Sequence, residues 1–99
     1  MKKRTFYIQI ILKLRKKKIK QTCYVLLYRC NSGESRTSVF WKSSDAHRIM
    51  SEELKVEEEN LRSQGIPCIV LEDEDYAELY TENEEIFLHW CIEEIVIDA

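Results

Sequence analysis

The sequence lacks most of the features that mark hinges, membrane spans or catalytic sites. Its 99 residues include two glycines and one proline, so few positions favour flexible linkers. It has no glycine-rich phosphate-binding loop and no nucleophile-elbow motif. No apolar run approaches the roughly 18 residues of a membrane-spanning helix. We therefore predict one domain over residues 1–99 that is not an enzyme, holds no cofactor and does not enter a membrane.

Disulfide and metal frameworks are also missing. The four cysteines are widely spaced and include no Cys-x-x-Cys pair: Cys23, Cys30, Cys68 and Cys91. Most lie in apolar runs, which indicates reduced core residues of a cytoplasmic protein. His89, Cys91 and Glu93 are ligand types that zinc accepts, but they lack the short paired spacing of zinc sites. We predict no metal site.

The charge is distributed very unevenly along the chain. Residues 1–50 contain thirteen Lys/Arg and two Asp/Glu, whereas residues 51–99 contain two Lys/Arg and sixteen Asp/Glu. The overall net charge of −3 thus conceals a basic half and an acidic half. The simplest explanation is that the two halves pack together and reduce each other's self-repulsion. The alternatives are a basic surface for nucleic acid or an acidic surface for a basic partner.

Three strands are predicted in the basic half, where apolar and polar residues alternate with a period of two. The first begins at Phe6 and continues to Leu14, the second covers Thr22–Arg29 and the third covers Arg36–Trp41. The second strand should direct one row of side chains, Tyr24, Leu26 and Tyr28, to a single face of the sheet. We expect the three strands to form a basic antiparallel β-meander over residues 1–42.

One long helix is predicted over residues 43–64. Ser43, Ser44 and Asp45 offer oxygens that could cap its first free amides. Apolar residues then recur at helical spacing: Ala46, Met50, Leu54 and Leu61. Gly65 suits the left-handed position after a helix, and Pro67 cannot continue it.

The acidic part, residues 66–99, is predicted to add two strands. Ile66–Leu71 is a short apolar run typical of an inner strand, and Tyr76–Tyr80 fits a single helical turn. The stretch Ile86–Ile97 alternates as a strand, with a change of phase at Glu93-Glu94 that indicates a β-bulge. An amphipathic helix also fits this stretch. The order β-β-β-α-β-β predicts an α+β fold in which one helix packs on one face of a mostly antiparallel sheet of about five strands.

The acidic clusters lead to the main functional hypothesis. They comprise Glu57, Glu58, Glu59, Glu72, Asp73, Glu74 and Asp75. Carboxylates grouped in this way can imitate a phosphate backbone and attract a basic surface on another protein. We therefore predict a cytoplasmic protein-binding or inhibitory module, of the kind that phages and mobile elements encode, that acts as a nucleic-acid mimic.

Two alternatives remain open. The first is a nucleic-acid-binding protein in which a basic hairpin contacts phosphates and sheet aromatics stack on bases. Its residues would be Arg15, Lys16, Lys17, Lys18, Lys20, Tyr24 and Tyr28. The second is a homo-oligomer in which a basic N-terminal edge meets an acidic C-terminal edge.

Overall fold

A computed structural model describes residues 20–98 and the backbone of residues 5–9; at residue 98, too, only the backbone is described. The elements follow the order β1 (Thr5–Gln9), β2 (Lys20–Cys30), β3 (Ser35–Phe40), α1 (Ser43–Ser63), β4 (Cys68–Asp73), β5 (Tyr76–Thr81) and β6 (Phe87–Asp98). Within these residues the strands form one sheet, and α1 packs on one of its faces. The predicted α+β class with a mostly antiparallel sheet is confirmed.

Strand β6 is the centre of the sheet, whose antiparallel order is β3-β2-β6-β5-β4. One edge of β6 pairs with the whole of β2, from Lys20 opposite Asp98 to Cys30 opposite Leu88. The strand prediction for this segment is confirmed, because its β-branched and aromatic residues suit a paired, half-buried surface. The predicted bulge is wrong, since the register with β2 continues unbroken through Glu93 and Glu94.

Strand β1 differs from the predicted meander. It pairs in parallel with the second half of β6, from Thr5 opposite Glu94 to Gln9 opposite Asp98. Strand β6 therefore lies between β1 and β2, and the two do not form a local hairpin over these residues. The reason is the length of β6: its second edge accommodates β5 along the first half and β1 along the second.

Strand β5 replaces the predicted helical turn. Its side chains alternate between buried and half-buried positions, and Ala77 and Leu79 are fully buried. Glu74 and Asp75 form a tight turn between β4 and β5, in which the Asp73 carboxylate accepts a hydrogen bond from the Glu74 amide at 2.7 Å. The turn makes β5 the hairpin partner of β4 and so favours a strand over a helix.

Helix α1 covers Ser43–Ser63, within one residue of the predicted range 43–64, but its N-cap is not one of the predicted residues. Its N-cap is Lys42, whose side chain makes no capping hydrogen bond, so the predicted caps lie within the first turn. At the other end Gly65 has a φ of 74°. The amide of Gly65 donates to Arg62 O, and that of Ile66 donates to Leu61 O. This pattern is a Schellman motif, which confirms the predicted role of Gly65.

The core lies between α1 and the centre of the sheet. Trp90 of β6 is fully buried, and its ring centroid lies 5.1 Å from that of Tyr28 on β2. The indole Nε1 donates to Glu53 on α1 at 3.3 Å, which satisfies the polar atom of the buried tryptophan. No helix among the described residues combines the length and the apolar content needed to cross a bilayer.

The side chain of Asn31 joins the β2–β3 turn to the β5–β6 turn by hydrogen bonds at one end of the sheet. Its Nδ2 donates to Glu85 O at 2.9 Å, and its Oδ1 accepts from the Phe87 amide at 3.1 Å. We expect Asn31→Ala to lower the free energy of unfolding by about 1–2 kcal/mol, because both hydrogen bonds are lost. Urea denaturation measures the change. The matched control is Asn60→Ala on the exposed surface of α1. It removes one exposed hydrogen bond from Gln64 at 3.3 Å and replaces Asn by a better helix former, so it should cost little. Equal losses in both variants would contradict the role of Asn31.

Candidate protein-binding surface

The hairpin between β4 and β5 carries one of the two predicted acidic clusters. Its residues Glu72–Asp75 lie beside the first half of α1. Glu72 accepts a hydrogen bond from the Ser51 hydroxyl. Asp73, Glu74 and Asp75 line a cavity of about 270 Å³ together with Ser43 and His47. The hairpin is thus held against the helix, with most of its carboxylates exposed to solvent.

The helical cluster does not join that hairpin in one surface. Glu57 lines a groove on the β3 side of α1. Glu58 pairs with Arg62 at 2.9 Å, and Arg62 also donates to Cys68 O of β4 at 3.4 Å. Glu59 is exposed. Because adjacent helix positions are rotated by about 100°, three consecutive glutamates diverge and cannot act as one patch.

Most of the predicted carboxylates form no ion pair with a cation in the described part of the chain. Among the described residues, ion pairs involve Glu34, Asp45, Glu52, Glu53 and Glu58. Of the seven predicted partner-binding residues, only Glu58 is therefore neutralised by a described cation. Residues 20–98 contain seven Lys/Arg against eighteen Asp/Glu, a net charge of −11. The described part of the chain consequently carries a large excess of negative charge.

A groove between α1 and β3 was not predicted from the sequence. It has a volume of about 380 Å³ and is lined by Arg36, Ile49, Glu52, Glu53, Val56 and Glu57. The Arg36 guanidinium is already engaged, because it lies 3.5 Å from Glu53 and 4.3 Å above the ring of Tyr28. Val56 is 63 % exposed. The groove therefore combines an excess of carboxylates with accessible apolar surface.

The residues of the nucleic-acid alternative are only partly described. Arg15, Lys16, Lys17 and Lys18 lie outside the described residues, and Lys20 is exposed at the start of β2. Tyr28 is buried beneath α1, and burial is the main cause that raises its pKa to about 12. Tyr24 is half-buried and packs against the core. Burial removes Tyr28 as a stacking surface for bases, which weakens this alternative.

The residues weighed as zinc ligands lie on β6. No group of three or more His, Cys, Asp or Glu in the described part of the chain is arranged to hold a metal ion. His89 lies between Arg29 and Glu78 on the neighbouring strands, and its ring is 5.1 Å from that of Tyr76. Burial, assisted by Arg29, lowers the pKa of His89 against the opposing effect of Glu78.

The chain matches no known family model, and neither the curated proteins nor the solved structures include one significantly similar to it.

The burial of His89 predicts a pH dependence of stability. The folded state binds the imidazole proton less tightly than the unfolded chain does, so stability falls as the pH drops through the ordinary histidine pKa of about 6.5. We expect the urea midpoint to decrease between about pH 7 and pH 5, and to decrease less for His89→Gln. The idea fails if His89→Gln retains the wild-type slope.

Proposed function

We propose that this chain is a non-enzymatic protein-binding module whose acidic surface engages a basic partner. The observation that carries the proposal is the excess of solvent-accessible carboxylates that no described cation pairs with. Glu59, Glu72, Asp73 and Glu74 are exposed, and Glu57 and Asp75 are half-buried. An arrangement of this kind attracts a cationic protein and raises the rate of encounter. An inhibitory module of phage or mobile-element origin that imitates nucleic acid would work in this way.

The cellular setting forms part of the proposal. Cys23, Cys30, Cys68 and Cys91 are all free thiols, and free thiols persist in reducing compartments. The pKa of the Cys30 thiol is lowered mainly by its hydrogen bond with the Ser32 hydroxyl, at 2.6 Å. Such a thiol is more readily oxidised than an ordinary one. We therefore propose that the protein acts in the cytoplasm.

Neutralising the hairpin tests the proposal. The triple variant Glu72→Gln, Glu74→Gln, Asp75→Asn removes three negative charges and leaves the Asp73 contact with the turn intact. The probe is a peptide array that spans acidic, neutral and basic sequences. We expect the wild-type chain to prefer basic peptides, and the variant to bind them about three- to tenfold more weakly, since exposed ion pairs each contribute roughly 0.2–1 kcal/mol.

The matched control removes three charges from another turn. Glu82, Glu84 and Glu85 lie between β5 and β6 and are exposed, so their replacement by Gln changes the net charge equally. This control should retain most of the affinity for basic peptides. Equal weakening in both variants would mean that net charge, and not the hairpin, drives binding. A wild-type chain without a preference for basic peptides would overturn the proposal.

A gel-shift assay with single-stranded and double-stranded DNA separates the proposal from the nucleic-acid alternative. We expect no retained complex at moderate salt, because the full chain has a net charge of −3 and Tyr28, one of the two candidate stacking residues, is buried. A complex whose affinity falls steeply as salt rises would contradict the proposal and favour the alternative.

A further inference from the structure

Strand β3 is an edge of the sheet, because within the described residues it pairs only with β2. The amide of Cys30 donates to Glu34 O, which places the residue pair Cys30 and Glu34 in a hydrogen-bonded position. Hydrogen-bonded and non-bonded pairs alternate along an antiparallel ladder. The backbone groups of Ser35, Thr37 and Val39 therefore point away from β2, towards the open edge.

Strand β3 itself lacks three features that ordinarily prevent strand addition, namely proline, lysine and a bulge. Proteins protect edges with proline, lysine, bulges or very short strands. Strand β3 has the sequence Ser-Arg-Thr-Ser-Val-Phe over six residues, and its register with β2 is regular. Its only charged side chain, Arg36, is engaged with Glu53 and Tyr28 on the helix side. The outward backbone groups of Ser35, Thr37 and Val39 thus belong to exposed residues.

The edge strand β4 is better protected than β3. Arg62 of α1 donates to Cys68 O of β4 at 3.4 Å, so the helix occupies part of this edge. Ser51 also holds the side chain of Glu72, near the end of the strand. A segment that adds to β4 would have to displace the Arg62 contact, whereas among the described residues no such contact is made to the outward backbone groups of β3.

The two sides of the β3 edge differ in chemistry. On the helix side lies the groove that contains Glu52, Glu53 and Glu57, with Ile49 and Val56 as its apolar surface. On the opposite face Val39 is 61 % exposed, and Trp41, which directly follows the strand, is 65 % exposed. Successive side chains of an added strand point to opposite faces, so one row would meet carboxylates and the other would meet apolar groups.

We propose that β3 and the adjacent groove bind an extended segment of a partner protein, in which basic side chains alternate with apolar ones, as an added β-strand. The basic row faces Glu52 and Glu57, and the apolar row faces Val39 and Trp41. This inference rests on the proposed function and specifies the form of the basic partner. Backbone hydrogen bonds supply affinity in this mode of recognition, and alternate side chains supply specificity.

Charge argues against a second copy of this chain as the occupant. If two β3 strands paired about a two-fold axis, the grooves of both copies would flank the same new interface. The carboxylates of Glu52, Glu53 and Glu57 on one copy would then lie near the same carboxylates of the other copy. Repulsion between these like charges is unfavourable. A basic strand removes that repulsion.

Backbone methylation of a peptide tests strand addition directly. The probe is a fluorescent peptide in which lysine alternates with threonine and valine, and its binding to the full chain is measured by anisotropy. Two further versions carry N-methyl groups on alternate residues, one on the odd-numbered and the other on the even-numbered positions. Because alternate amides of a strand point to opposite sides, each version loses the hydrogen-bond donors of one side of the peptide. We expect one version to bind like the parent and the other to bind at least about tenfold more weakly, because it cannot donate to β3.

Charge selection is tested by protein variants and by a second peptide. Glu52→Gln with Glu57→Gln should weaken binding of the lysine peptide about three- to tenfold. The control, Glu59→Gln with Glu82→Gln, removes two charges outside the groove and should have little effect. A peptide with glutamate in place of lysine should not bind, and equal binding of both peptides would overturn the charge selection.

The outcomes separate the two proposals. Equal binding of both methylated peptides, with weakening by the hairpin triple variant, would overturn strand addition and leave the acidic-surface function standing. Failure of every lysine peptide to bind would overturn both. A dimer of the chain alone in analytical ultracentrifugation, abolished by Thr37→Pro, would assign the β3 edge to a second copy and overturn the basic-strand proposal.

Discussion

The pairing of β6 along both of its edges is the constraint on which the structure depends. Its register with β2 spans eleven residue pairs, and its other edge is shared by β5 and β1. The same strand supplies Trp90, Leu88 and Ile92 to the core beneath α1. Because β6 comes last among the elements in the chain, the sheet closes only when its C-terminal segment has been placed between segments that precede it. The contacts that define the fold are therefore predominantly long-range, a property associated with slow folding.

The core is connected to the β3 groove by a series of side-chain contacts. Trp90 donates to Glu53, Glu53 pairs with Arg36, and Arg36 lies over the ring of Tyr28, which in turn packs on Trp90. These contacts set the positions of Glu53 and Arg36 by the packing of buried aromatic rings. Of the remaining carboxylates of the groove, Glu52 pairs with Arg48 on the same helix at 3.3 Å, and Glu57 forms no ion pair with a described cation. A preorganised groove of this kind reduces the ordering that binding must otherwise impose.

Local signals allowed accurate prediction where a single segment decides its own structure. The end of α1 was predictable because Gly65 and Ile66 complete a Schellman motif within four residues of Leu61. The partners of β1 were not, because parallel pairing with β6 joins residues almost ninety positions apart. The Tyr76–Thr81 strand was missed although Ala77 and Leu79 alternate with larger half-buried residues.

The acidic residues of the candidate site were identifiable from composition. Which of them lie on the hairpin and which line the groove depends on the rotation of successive helix positions and on the order of the strands. The β3 groove required tertiary structure, since Arg36 and Glu57 belong to separate elements.

We propose that a basic extended segment binds at β3 and the groove beside it. Amide chemical shifts measured during titration of the uniformly ¹⁵N-labelled full chain with the lysine–valine peptide test this claim most directly, because every described amide reports on its own surroundings. The account predicts that the largest changes occur at Ser35, Thr37 and Val39 and along Ile49–Glu57 of α1. Changes confined to β4 and the face around His89, or spread evenly over the acidic surface, would contradict it.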